Sequence, residues 1–143
     1  MAGKDKIETG FRILWDTKDL TGDLIPGSVT GGGKVLDEVD MLGVSETVRN
    51  FLAGHASAPV SARFHMNDAT NRSFNVLKDD HGVVATLTLQ WGSNGAAPTA
   101  GDPEWEGQYV CFGFPMGMDA GRSVMDVTWQ PSGSTPPAWG VYS

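Results

Sequence analysis

Val83-Val84-Ala85-Thr86-Leu87-Thr88-Leu89-Gln90-Trp91 is the stretch that decides the fold. Val83, Ala85, Leu87, Leu89 and Trp91 alternate with Thr86, Thr88 and Gln90. A period of two puts the first set on one face of a β-strand and the second on the other. Threonine suits the wet face of a strand, so Thr86, Thr88 and Gln90 are expected to face water.

The same period recurs on either side. Pro59 to Met66 sets Val60, Ala62, Phe64 and Met66 against Ser61, Arg63 and His65. Phe11, Ile13 and Trp15 oppose Arg12 and Leu14. Gln108 to Phe114 predicts a strand with Val110, Phe112 and Phe114 on one face, and Val124 to Trp129 one with Met125, Val127 and Trp129 aligned. From Lys34 to Leu42, Val35, Val39 and Met41 share a side, and the carboxylates of Asp37, Glu38 and Asp40 require a wet face. Ala138 to Tyr142 forms a short terminal segment. Residues 25–33, 92–104 and 131–137 are rich in turn-forming residues and read as loops.

One segment has helical chemistry. Asp68 is placed as an N-cap for a helix over Ala69–Asp79, with Phe74 and Leu77 toward the core, Ser73 and Val76 near that side, and Gly82 as the stop. Residues 43–57 fit either a short helix, Ser45 to Leu52 with Ser45 as cap, or a strand within a long loop. Residues 1–9 are polar and charged and read as a flexible N-terminal arm. Residues 10–143 then form a single, mainly β domain: a sandwich or barrel of six or seven short strands with one flanking α-helix.

Composition narrows the function. Gly (19 copies) and Pro (8) are abundant, which favours many turns and short elements. The net charge of −7, with the basic residues scattered, disfavours classical nucleic-acid binding, because phosphates are repelled. No apolar stretch approaches a membrane span, and the N-terminus has no secretory pattern, so synthesis in a reducing cytoplasm is expected. Cys111 stands alone inside an apolar run and reads as a small buried hydrophobe.

No candidate motif completes a chemical site. Gly27-Ser-Val-Thr-Gly-Gly-Gly-Lys34 departs from a phosphate loop, with Ser28 where the first glycine belongs and Val35 where a hydroxyl belongs. His55, His65 and His81 have no metal-ligand spacing. Asp102-Pro-Glu-Trp-Glu-Gly107 alternates carboxylates but lacks a closing ligand for calcium. No nucleophile elbow is present, and Cys111 has no local partner set. No catalytic, cofactor-binding or metal-binding residue is assigned, and no enzyme activity or cofactor is expected. Of the tryptophans, Trp15, Trp91 and Trp129 fall on apolar strand faces, whereas Trp105 and Trp139 lie in or beside loops and are candidate interface anchors.

In order, these segments resemble the tail tube protein (major tail protein) of long-tailed bacteriophages. Phe11-Arg-Ile-Leu-Trp-Asp-Thr-Lys-Asp-Leu-Thr-Gly-Asp23 resembles that family's first strand and turn. Leu36-Asp-Glu-Val-Asp-Met-Leu-Gly-Val-Ser-Glu-Thr-Val-Arg-Asn-Phe-Leu-Ala-Gly54 resembles its next block, although Leu42-Gly-Val-Ser-Glu46 only approximates the family's Thr-Gly-x-Gly-Asp turn. Pro59 to Asp68 resembles the strand and acidic turn before a short helix, and Val83–Trp91 and Met125–Gly133 the later strands. The resemblance spans most of residues 10–133 and rests on the order of the blocks.

It implies a non-enzymatic virion protein. Hexameric rings of this chain would stack into a tube and meet other tail proteins. Phage DNA would pass through without specific binding. Ring-stacking contacts are expected at Lys4, Lys6, Glu46, Arg49, Asn50 and Phe51, and an acidic lumen at Asp37, Glu38 and Asp40. The competing readings are a capsid decoration or head-completion protein and a carbohydrate-binding β-sandwich module.

Overall fold

The computed structural model describes residues 10–40, 51–92, 96–113, 115–119 and 121–143. The strands run β1 (Phe11–Trp15), β2 (Lys18–Asp19), β3 (Val35–Asp40), β4 (Phe51–Ser57), β5 (Val60–His65), β6 (Val84–Trp91), β7 (Pro103–Gly113), β8 (Met116–Asp119), β9 (Arg122–Pro131) and β10 (Ala138–Val141). A 3-10 turn, Thr21–Asp23, and one short helix, α1 (Ser73–Leu77), complete the described elements.

Eight strands form one antiparallel sheet in the order β2-β1-β6-β7-β9-β5, with β10 added to β7 and β8 to β9. The long β7 makes this branching possible. One edge pairs with β6 along its length. The other takes β10 from Pro103 to Glu106 and β9 from Tyr109 to Gly113, with a bulge between Cys111 and Gly113. A bulge bends its strand and increases the twist. The sheet curls until the Trp15 and Trp129 rings lie 5.9 Å apart across the interior. Residues 24–30 then cover the outer edge of β5. Ile25 N–H donates to the Arg63 carbonyl at 2.9 Å, and Thr30 and Ser61 exchange backbone bonds of 2.9 and 2.8 Å. The result is a half-open barrel.

The core follows the alternation of β1, β5 and β9. Phe11, Ile13, Trp15, Val60, Ala62, Phe64, Met125, Val127 and Trp129 are buried, as their spacing predicts. Full burial of each aliphatic or Phe side chain stabilises by about 1.5–3 kcal/mol. Cys111 is buried as well.

Several expectations are corrected. Thr88 and Gln90 are buried although they face away from the core, because β6 is central and both of its neighbours carry long side chains over it. β7 starts at Pro103, inside the expected 92–104 loop, and its inward face is the opposite one. Tyr109 and Cys111 point in, and Phe112 is exposed. Both parities of that stretch are apolar, so the register with β6, Ala85 beside Tyr109, selects the face. Trp105 is a core residue of β7, not a loop anchor. Met66 lies past the end of β5 and is exposed.

The helix is shorter than its pattern. It begins at Ser73, and Asp68 does not cap it. The Asn67 carbonyl accepts the N–H of Phe74 at 3.0 Å and of Asn75 at 3.3 Å. Asp23, distant in sequence, accepts the N–H of Ser73 at 3.1 Å and the Asn67 side chain at 2.9 Å. The first-turn donors that a helix leaves open are thus satisfied across the fold. Ser73, Val76 and Leu77 are buried, and Phe74 packs partly against the core.

Candidate assembly surfaces

The outer face of β1, β6, β7 and β10 is a polar wall. Register sets Arg12 beside Gln90, Gln90 beside Glu104, and Glu104 beside Gly140. The adjacent row is Leu14, Thr88, Glu106 and Ala138. Gln90 Nε2 donates to Glu104 Oε2 at 2.8 Å, and Thr88 Oγ1 to Glu106 Oε2 at 3.0 Å. Bonds to an ionised acceptor are strong ones, so the carboxylates are pinned flat along the sheet. Gln108 Oε1 holds the following loop by accepting the N–H groups of Ser134 at 2.7 Å and Thr135 at 3.1 Å. Gly140 ends one row with no side chain and Ala138 the other with a single methyl. The surface is smooth and bears two fixed carboxylates. The other edge of β10 pairs with no described strand.

A second surface is the β3–β4 hairpin. These strands pair only with each other among the described residues. The register slips between Leu36 and Glu38, a bulge that twists the pair. Val35 is 64% exposed and Leu36 50%, and Asp37 and Glu38 are exposed too. An isolated two-stranded hairpin is at best marginally stable in water.

Its root is firmly held. Gly31 and Gly32 approach so closely that a Cβ on either would lie 2.8 Å from Val60 or from the Trp91 ring. On the other side, Tyr109 Oη donates to the Ala58 carbonyl at 2.9 Å and accepts from Trp105 Nε1 at 2.8 Å. Burial of that phenol pushes its pKa up, and the Trp105 hydrogen bond offsets part of the shift.

A third surface lies where β5 ends and β9 begins. Met118 stands opposite Ser123 in the β8–β9 ladder, and Met66 N–H donates to the Ser123 carbonyl at 3.1 Å. Met116 lies one step along, opposite Met125. Met66, Met116 and Met118 are 42%, 46% and 73% exposed, and form an apolar rim.

The sequence-derived sites fall unevenly on these surfaces. Asp37 and Glu38 lie on the hairpin, as does the backbone of Asp40. Phe51 opens β4, so its stretch is strand rather than helix there. Lys4, Lys6, Glu46, Arg49 and Asn50 lie outside the described residues, as do residues 1–9 and most of the alternative helix Ser45–Leu52. By spacing alone Glu104 and Glu106 read only as cation ligands. Their alternation about Trp105 is a strand signal that the neighbouring turn-rich residues obscured. Asp102 instead accepts from Thr99 N–H at 2.9 Å in a tight turn.

Among the described residues no three metal-capable side chains cluster, and no helix is long and apolar enough to cross a membrane. Of the five tryptophans only Trp139 is exposed, at 56%, and it meets Trp91 and Trp105 at interplanar angles of 45° and 65°. Tilted rings packed on one another make a poor flat platform for a sugar.

No family profile and no curated protein matches the chain. Solved structures do. A chain of the PVC sheath–tube complex of an extracellular contractile injection system, in its extended state, superposes with TM-score 0.62 at 13% identity, covering 94% of this chain and 90% of that one. A chain from the virion of a native gene transfer agent particle gives 0.60 at 17%, covering 96% and 99%. A chain from the tail of an empty gene transfer agent particle, refined helically with C6 symmetry, gives 0.59 at 16%, covering 99% and 100%. The fold is therefore one found in phage-like tails and injection systems, as the resemblance read from the sequence implies.

Proposed function

We propose that this chain is the tube subunit of a phage-like tail, a structural protein without catalytic activity. Copies close side by side into rings, and the rings stack into a hollow tube. The polar wall carries this reading. It is a smooth four-strand face with pinned carboxylates, bounded by an open strand edge that a neighbouring copy can pair with. Turned inward, Glu104 and Glu106 give the channel a negative lining, which repels phosphate and lets DNA pass without sticking. The sixfold symmetry of the similar gene transfer agent tail supports six copies per ring.

In this arrangement the hairpin sits between rings, with Asp37, Glu38 and Asp40 at the channel's rim. Lys4, Lys6, Glu46, Arg49, Asn50 and Phe51 are the proposed stacking contacts. The protein is made in the host cytoplasm and resides in the virion tail, in contact with other tail proteins.

Negative-stain electron microscopy of the concentrated protein tests the proposal. Long hollow tubes or stacked rings are expected. A persistent monomer or compact trimer, even with other virion proteins present, would move the weight to a capsid decoration protein or a binding module.

A further inference from the structure

We infer that Trp139 couples ring closure to the hairpin: a neighbour's strand on the open edge of β10 fixes this indole over the hairpin's root and so stiffens β3–β4. The inference rests on the tube reading and adds an order of assembly to it, rings first and stacks second.

The hinge is written in the sequence. Gly31, Gly32 and Gly33 lead toward β3 with φ of 151°, 85° and 115°. Glycine loses more conformational freedom on ordering than any other residue, so this run stays loose unless something packs on it. What packs there is aromatic. A Cβ on Gly32 would lie 2.8 Å from the Trp91 ring and 3.5 Å from that of Trp139, and one on Gly33 4.0 Å from Trp139 Nε1. The Trp139 ring centre is 5.3 Å from that of Trp91 and 5.2 Å from that of Trp105. Trp105 Nε1 donates to Tyr109 Oη, which donates to the Ala58 carbonyl just past the end of β4. One indole therefore bears on both feet of the hairpin, directly on the glycines and through Trp105 on Ala58.

The strand that carries Trp139 has the least support of the three. Trp91 and Trp105 stand on β6 and β7, which are flanked by strands on both edges. β10 has four residues and one paired edge, and Pro103, opposite Val141, has no N–H to give. Tyr142 and Asp102 tether its end with a backbone bond of 2.8 Å, but at Trp139 the strand has β7 alone. Elements with few contacts open first. A strand added to the open edge gives β10 a second ladder, narrows the freedom of the Trp139 ring, and holds the glycines beneath it. Linkage makes the effect reciprocal. A hairpin held between rings tightens β10 for its lateral neighbour by the same factor.

The test compares the full chain with Trp139→Ala and Trp139→Phe, by hydrogen exchange over residues 35–40 and 51–57 and by electron microscopy. The side chain is 56% exposed, so amides of β1, β5 and β9 should keep their wild-type protection. In the alanine monomer the hairpin should exchange about three- to tenfold faster than in the wild-type monomer, the factor that one lost aromatic pair supplies. In the wild type, hairpin exchange should slow further when rings close. Alanine rings should form, keep fast hairpin exchange, and remain mostly unstacked. Phenylalanine keeps a ring over Gly32 and should restore most of the protection and the stacking.

Alanine rings that stack like the wild type would overturn the coupling and leave the tube reading standing. So would an alanine chain that forms no rings but shows wild-type hairpin exchange, because Trp139 would then be a side-to-side contact and nothing more. Faster hairpin exchange in the alanine monomer, with a wild type that forms neither rings nor tubes, would support the hold of Trp139 on the hairpin and sink the tube reading.

Discussion

The barrel and the hairpin obey opposite rules. In the barrel, alternation sorts side chains into a buried face and a wet one, and Trp129 packs tilted against Trp15 at 5.9 Å and edge-on to Phe64 at 6.3 Å between ring centres. On the hairpin, Val35 and Leu36 occupy both faces of β3 and both are exposed. One region satisfies its apolar surface within the chain, and the other leaves it exposed. An element whose own contacts cannot hold it, rooted in one whose contacts can, is the form expected of a joint between subunits.

That contrast can be broken by mutation. The largest effect belongs to the barrel. Trp129→Ala should cost about 3–5 kcal/mol, read by urea denaturation. A loss under 1 kcal/mol would mean that the curled core does not hold the fold. Next comes the cap made across the fold. Asp23→Ala strands the N–H of Ser73 and the Asn67 amide and should cost about 1–3 kcal/mol, with faster hydrogen exchange over residues 73–77.

Tyr109 sharpens the boundary between the regions. Its raised pKa means that the folded state holds the phenol neutral after the unfolded chain, near pH 10, begins to lose its proton. The stability it contributes is complete below about pH 10 and falls as pH rises through the folded value. Tyr109→Phe should remove that alkaline slope, seen in melting curves above pH 9. It should also cost about 1–3 kcal/mol at neutral pH by unpairing the Ala58 carbonyl and the Trp105 N–H. The smallest expected change is on the hairpin. Leu36→Glu should alter monomer stability by no more than about 0.5 kcal/mol while lowering the yield of stacked rings. A clear drop in melting temperature would show instead that the hairpin packs on its own barrel.

Much of the fold was legible because a period of two is a local property. Phe11 to Trp15, Val60 to Phe64 and Met125 to Trp129 each announce their buried face without knowledge of any partner. Val110 to Phe112 does not, since both faces are apolar and only the bulged register with β9 and the pairing with β6 choose between them. The wall was hidden for a related reason. Glu104 and Glu106 follow a run of Gly, Ala, Pro and Ser, and their strand exists because β6 and β10 flank it. Of the expected lumen and stacking residues, the sequence placed Asp37 and Glu38 on a wet surface. The shape of that surface comes from β4.

By itself, then, the sequence determined a mainly β chain, its three alternating core strands, the buried cysteine, and a composition too acidic for ordinary phosphate binding. Tertiary structure decided which face of β7 is inside, that Asp23 and not Asp68 serves α1, and that two apolar surfaces stay uncovered. The first set depends on residues two apart along the chain. The second depends on which distant strands meet, and strand pairing is a choice of register that no single segment makes alone.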